Sequence, residues 1–186
     1  QSKKLIIVTQ PRVLTAIKNV NEIVSIKAYK YMKLGENIGW QTEPSKKKVK
    51  TGVLFATIGI LTMQLKLLPD EDLIQKYSFI MLDEIHEMSI ETAQAVFNLK
   101  KFLIRNKDNL NLPFLICTSA TIDEDKYIEY FGLSKKTNFI QVRGFAYPRI
   151  TYWLKNPSEN YIKSAFETVK NIHLNNLNDT PDKSDI

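Results

Sequence analysis

The chain has one cysteine among its 186 residues, Cys117, so no disulfide can form within it and a disulfide-held scaffold is excluded. It has no run of 18 uncharged apolar residues, which leaves no candidate for a membrane-crossing helix. The start, Gln1-Ser2-Lys3-Lys4 and then a short apolar run, is too brief for a secretory signal. A cytosolic or nuclear protein without membrane contact is expected. There is no internal repeat. Cys117 closes the apolar run 113–117, where a buried, inert thiol is expected rather than a nucleophile.

What is present is the material of one soluble core, with 44% hydrophobic and 25% charged residues. The net charge of +6 and pI near 9.2 favour contact with phosphates or an acidic surface. A lysine-rich surface that only keeps a chain soluble looks the same, so charge alone decides nothing.

Residues 4–9 are a short β-branched run of the kind buried in parallel sheets. A helix is expected after Pro11, with Val13, Ile17, Val20, Ile23 and Val24 on its face. Residues 38–42 and 52–56 read as two strands around a polar turn containing Lys46-Lys47-Lys48, a solvated loop with nucleic-acid contact as the alternative. Thr57 is placed to cap a helix carrying Ile60, Leu61, Gln64, Leu65 and Leu68, which Pro69-Asp70 should stop. A strand over 77–82, a helix over 90–105, a strand over 114–118 and a helix over 123–131 ended by Gly132 follow. The sum is an α/β fold, a mostly parallel sheet flanked by helices. Beyond it, 138–142 and 149–154 read as short strands, 158–174 as a helix capped by Ser158, and the polar stretch from Asn175 as disordered.

The chemistry concentrates at Asp83-Glu84-Ile85-His86, at the end of the 77–82 strand. Two carboxylates at a strand's carboxyl end lie where open α/β sheets bind ligands. In phosphate-handling motors an Asp there carries Mg²⁺ and a neighbouring acid orients or deprotonates the attacking water. An acidic strand end that merely caps the next turn is the competing reading. At the end of the next strand, 33 residues after His86, stands Ser119-Ala120-Thr121.

With that pair of strings the sequence resembles the DExH/DEAH helicases of superfamily 2, whose motif II is DEAH or DExH and whose motif III is SAT. Thr9-Gln10-Pro11-Arg12 resembles their motif Ia, Thr57-Ile58-Gly59-Ile60-Leu61 their motif Ib, and 33–40 the spacer between. The resemblance implies a RecA-like domain using ATP and Mg²⁺, with Asp83 holding the ion through water and Glu84 and His86 completing the catalytic set. It implies that Ser119, Ala120 and Thr121 couple hydrolysis to strand separation. It also implies that Gln10, Pro11, Arg12, Thr57 and Gly59 contact the nucleic-acid backbone, RNA by family habit and DNA as the alternative. The wording of motifs Ia and Ib resembles viral, poxvirus-type NTPases, for which a viral factory or virion is the expected setting.

The pattern breaks at one place: no Gly-x-x-x-x-Gly-Lys-Ser/Thr string, the phosphate-cradling motif I, occurs. Residues 1–137 are therefore expected to be a first RecA-like domain without motif I, 138–155 a linker around Arg143-Gly144-Phe145-Ala146-Tyr147-Pro148, and 156–186 the opening of a second domain with a polar tail. On this expectation the sheet is incomplete at both ends and these residues alone hydrolyse ATP slowly or not at all. A non-enzymatic basic nucleic-acid-binding module and another P-loop motor remain as alternatives.

Overall fold

The computed structural model describes residues 4–43, 46–47, 49–120, 124–142, 151 and 153–179, the side chains of 124 and 175–179 excepted. They fall into two compact units, 1–139 and 140–186.

The first unit is built on β1 (Leu5–Gln10), β2 (Ile38–Gln41), β3 (Lys46–Lys47), β4 (Gly52–Thr57), β5 (Tyr77–Leu82) and β6 (Phe114–Cys117), in the order β3-β2-β4-β1-β5-β6. All neighbours are parallel except β3, which runs antiparallel to β2. β1 lies between β4 and β5, and its unbroken apolar sequence follows from cover on both faces, Ile7 packing in one apolar cluster and Val8 in the other. The helices are α1 (Val13–Ser25), α2 (Ile58–Leu67), α3 (Asp70–Lys76), α4 (Ile90–Arg105), α5 (Glu124–Phe131) and the short α6 (Lys135–Asn138).

Period-two alternation divides the core. Ile7, Leu54, Ile80 and Leu82 point to the face covered by Leu61 and Leu65 of α2, Leu73 of α3 and Leu99 and Phe102 of α4. Val8 and Phe55 point to the other face, beneath Ala16 and Val20 of α1. Val24, expected on that buried face, is 37% exposed near the end of α1. Phe79 and Phe114 stack, ring centroids 5.2 Å apart, and Phe114 remains 70% exposed.

The polar turn expected over 43–48 contains an edge strand instead. Lys46 and Lys47 pair with Gln41 and Trp40, and two lysines on a two-residue edge discourage pairing with another chain. Lys48 lies outside the described residues. Gly52 (φ 94°) is demanded by the sheet: a Cβ there would sit 2.0 Å from the Asn37 carbonyl oxygen. Pro69-Asp70 does end α2, yet it also begins α3, with Pro69 at the N-cap and Asp70, Glu71 and Asp72 in the first turn, where carboxylates favour the helix dipole.

Asp70 joins α3 to α4. Arg105 donates to it twice, Nε to Oδ2 at 3.0 Å and a terminal nitrogen to Oδ1 at 2.8 Å, and Asn106 adds a bond of 2.7 Å. The Arg105 hydrogen bond, above all, holds the Asp70 carboxyl below the usual carboxylate range. Its contribution to stability is thus complete above the unfolded value near 4 and is lost as pH falls through the lower folded value. Asp70→Asn should cost about 1 kcal/mol at pH 7, and the gap in urea midpoint from wild type should close below about pH 4.

Cys117 is half-buried, and burial pushes its thiol up to about 11. Its thiolate fraction at pH 8 is then about a hundredfold below that of an exposed cysteine. An aromatic disulfide reagent should label it slowly in the native protein and at the ordinary rate in urea.

Differences from the sequence reading gather after Gly132. That glycine (φ 66°) does end α5, with Leu133 N–H returning to the Ile128 carbonyl at 2.9 Å. The strand expected over 138–142 is absent: Asn138 closes α6, whose single turn is held by Ser134 carbonyl bonds, and 139–142 are irregular. Of 149–154, residues 151, 153 and 154 are irregular and the rest, with 143–148, lie outside the described residues.

The second unit contains α7 (Tyr161–Asp179). Asn160, not Ser158, caps it, its Oδ1 accepting from Lys163 N–H at 3.0 Å. The disorder expected from Asn175 does not begin there, because no Gly or Pro interrupts the helix before Pro181; residues 180–186 lie outside the described residues.

Candidate functional site

The parallel register brings four strand ends into one row. Gln10 is level with Thr57, Thr9 with Leu82, and Leu82 with Cys117. The carboxyl ends of β4, β1, β5 and β6 therefore present Thr57, Gln10, Asp83 and Thr118 side by side, across about 14 Å. This edge, the ligand side of an open α/β sheet, and the segments that leave it carry the described candidate residues of the sequence reading.

Asp83 stands at the centre, fixed by both neighbouring strands. Its N–H donates to the Thr9 carbonyl at 3.3 Å, and Gln10 Nε2 donates to its Oδ2 at 2.7 Å. On the other side the Thr118 hydroxyl donates to Oδ1, which also accepts the Glu84 N–H at 3.0 Å. Gln10 is 1% exposed. Its side chain is turned inward onto Asp83. Inside the fold a buried amide needs an acceptor, and the acceptor here is a carboxylate.

After Asp83 the backbone leaves β5 abruptly. Glu84 adopts a left-handed conformation (φ 57°), Ile85–Glu87 make one 3-10 turn, and Met88 is left-handed again (φ 42°). Two left-handed non-glycine residues cost on the order of 1–3 kcal/mol each and persist where the surroundings over-determine them. The anchors are visible: Ile85 is fully buried, its N–H donates to the Thr118 carbonyl at 3.1 Å, and Ser89 caps α4 by accepting Thr92 N–H at 3.0 Å.

The turn swings Glu84 toward His86, whose Nδ1 lies 3.2 Å from Glu84 Oε2 and 3.1 Å from Ser119 Oγ. One ring nitrogen thus serves two partners. As Nδ1–H it donates to the Glu84 carboxylate; as bare Nδ1 it accepts the Ser119 hydroxyl. Ala120 follows, exposed at the edge, and Thr121 lies outside the described residues.

Toward β1 and β4 the row becomes open. Arg12 is the N-cap residue of α1, with an exposed side chain whose nearest carboxylate oxygen, on Glu87, is 3.5 Å away. Such a pair is weak enough to exchange for a phosphate. Pro11 fixes the turn before it. Thr57 occupies the N-cap position of α2 but makes no side-chain cap bond. Gly59 lies in the first turn of α2, where an added Cβ would meet nothing within 4 Å.

Sequence reasoning missed Thr118 and the inward direction of Gln10. A hydroxyl immediately after an apolar strand, beside an acidic strand end, was the available signal. It also missed the two left-handed residues, which no Gly or Asn marks.

Fold and site together define a RecA-like α/β domain with an acidic pair at the carboxyl edge of its sheet. No protein-family model matches the chain. An African swine fever virus protein named as an RNA helicase (isolate Tick/South Africa/Pretoriuskop Pr4/1996) is 39% identical over 186 residues, 97% of this chain and 19% of the relative. The Schizosaccharomyces pombe pre-mRNA-splicing factor ATP-dependent RNA helicase prp22 is 32% identical over 174 residues, 92% of this chain and 14% of its own length. A human protein named as ATP-dependent RNA helicase DHX35 is 31% identical over 175 residues, 89% of this chain and 24% of the relative. The chain belongs to the DExH/DEAH helicases of superfamily 2 and spans about a fifth of the length of the viral relative, 19%.

Proposed function

We propose that this chain forms the acidic half of the nucleotide site, and part of the strand-gripping surface, of an ATP-dependent RNA helicase. One observation carries the reading: a single sheet edge holds Asp83, Glu84 and His86 beside Thr118 and Ser119, and continues without a break into Gln10, Pro11, Arg12, Thr57 and Gly59.

No three His, Cys, Asp or Glu side chains among the described residues gather to hold a metal by themselves. Among the described residues Asp83 has one donor on Oδ2 and so keeps acceptor capacity there. That suits Mg²⁺, which retains waters and takes further ligands from nucleotide phosphates. Asp83 would hold the ion, and the chemistry the ion would supply there is neutralisation of phosphate charge. Glu84 orients the attacking water and takes its proton. His86 reports the state of Glu84 to Ser119 through the shared Nδ1, and Ala120 and Thr121 continue that segment. Arg12, Thr57 and the open first turn of α2 at Gly59 hold sugar and phosphate, contacts that carry little base specificity.

The cradle for the remaining phosphates is a Gly-x-x-x-x-Gly-Lys-Ser/Thr string, which these 186 residues do not contain. On that account residues 1–137 are part of a first RecA-like domain, 138–155 a linker and 156–186 the opening of a second, and by themselves they hydrolyse ATP slowly or not at all. RNA is favoured over DNA by the names of the relatives.

The test is ATP hydrolysis by the intact protein with and without single-stranded RNA or DNA, alongside displacement of a labelled strand. Hydrolysis stimulated by RNA, with displacement, is expected. Salt-sensitive RNA binding without hydrolysis would replace the motor by a binding module; stimulated hydrolysis without displacement would replace the helicase by another kind of motor.

A further inference from the structure

We infer that Gln10 and Thr118 are positioning residues that clamp the Asp83 carboxylate from the two strands flanking β5. The inference rests on the reading of Asp83 as the carboxylate that carries Mg²⁺.

Gln10 is 1% exposed at the end of β1, a place where an amide is costly unless bonded. Its Nε2 spends a donor on Asp83 Oδ2 at 2.7 Å. Thr118 is itself held in place around Asp83: its N–H donates to the Leu82 carbonyl at 2.9 Å and its carbonyl accepts Ile85 N–H at 3.1 Å. That fixes where its hydroxyl points, onto Asp83 Oδ1. A carboxylate restrained at both oxygens has one rotamer, and its remaining acceptor sites have one direction. Outer partners of this kind orient a metal-carrying carboxylate, and their loss typically lowers metal affinity about 10–100-fold. Gln10 also precedes Pro11-Arg12 directly, so the strand end that restrains the carboxylate is the one that starts the phosphate-contacting turn.

The test uses Mn²⁺ as the probe, titrated by electron paramagnetic resonance into the intact protein with a non-hydrolysable ATP analogue. Gln10→Leu and Thr118→Val should each weaken Mn²⁺ binding about tenfold or more, and Thr118→Ser, which keeps the hydroxyl, should stay within about twofold of wild type. A purely structural role would not separate Ser from Val at one position. If Gln10→Leu fails to fold, the Thr118 pair decides. Unchanged or tighter binding in Thr118→Val, with wild-type binding intact, overturns the clamp alone. Wild-type protein that binds no Mn²⁺ beside the nucleotide overturns the reading of Asp83, and the clamp with it.

Discussion

Glu84→Gln is expected to lower RNA-stimulated ATP hydrolysis by the intact protein about 10²–10⁴-fold, the usual contribution of a general base. Glutamine keeps the size of the side chain and an acceptor oxygen but cannot take a proton at neutral pH. Backbone geometry argues for the specificity of the loss. Glu84 is held left-handed by Ile85 N–H on the Thr118 carbonyl and by its own N–H on Asp83 Oδ1. None of these bonds involves the Glu84 side chain, so the turn should survive the substitution. Nucleotide analogue affinity should therefore stay within a few fold, because Asp83, Gln10 and Thr118 are untouched. Steady-state hydrolysis and analogue binding, measured on the same preparation, separate the two effects. Undiminished hydrolysis would remove Glu84 from the catalytic role and direct the search to His86.

Legibility followed the physics of each segment. Strands covered on both faces announced themselves, because burial in a parallel sheet demands unbroken apolar runs, and 4–9 and 77–82 differ from β1 and β5 by at most one residue at each end. The long helix over 90–105 coincides with α4, since three or more turns give the apolar period time to declare itself. Short elements did not. The two residues of β3 exist through pairing with β2, which no local pattern encodes, and α6 is one turn on a single cap. The same asymmetry holds in the site. Residue identity at strand ends was readable, and so was the proximity of Ser119 to His86, because the motif strings fall at adjacent strand ends. The direction of Gln10 was not, since it depends on the register of β1 against β5 and on the irregularity between Leu5 and Ile6 that sets it. The left-handed Glu84 was equally hidden, because the anchors that force it, Thr118 and Ile85, come from different parts of the sequence.

Leu82→Ala is expected to destabilise the first unit by about 2–5 kcal/mol, the range for large-to-small changes in a close-packed core. Leu82 has no exposed surface and belongs to the larger of the two apolar clusters, with Ile80, Leu99 and Phe102. Collapse around the lost atoms is opposed on both sides, since Leu82 is level with Thr9 of β1 and with Cys117 of β6 in the paired sheet. The cavity term should therefore be retained, which places the cost toward the upper part of the range. The substitution sits next to Asp83 in sequence yet leaves the backbone bonds of residue 82 in place, notably its carbonyl to Thr118 N–H at 2.9 Å. Stability and site geometry thus part ways. The urea midpoint should fall with little change in slope, whereas protein kept well below that midpoint should still bind nucleotide with near wild-type affinity. Leu14→Ala, on a side chain 80% exposed, supplies the contrast and should shift stability by no more than about 0.5 kcal/mol. Equal shifts for the two variants would mean that β5 is not the packed centre on which the acidic edge is built.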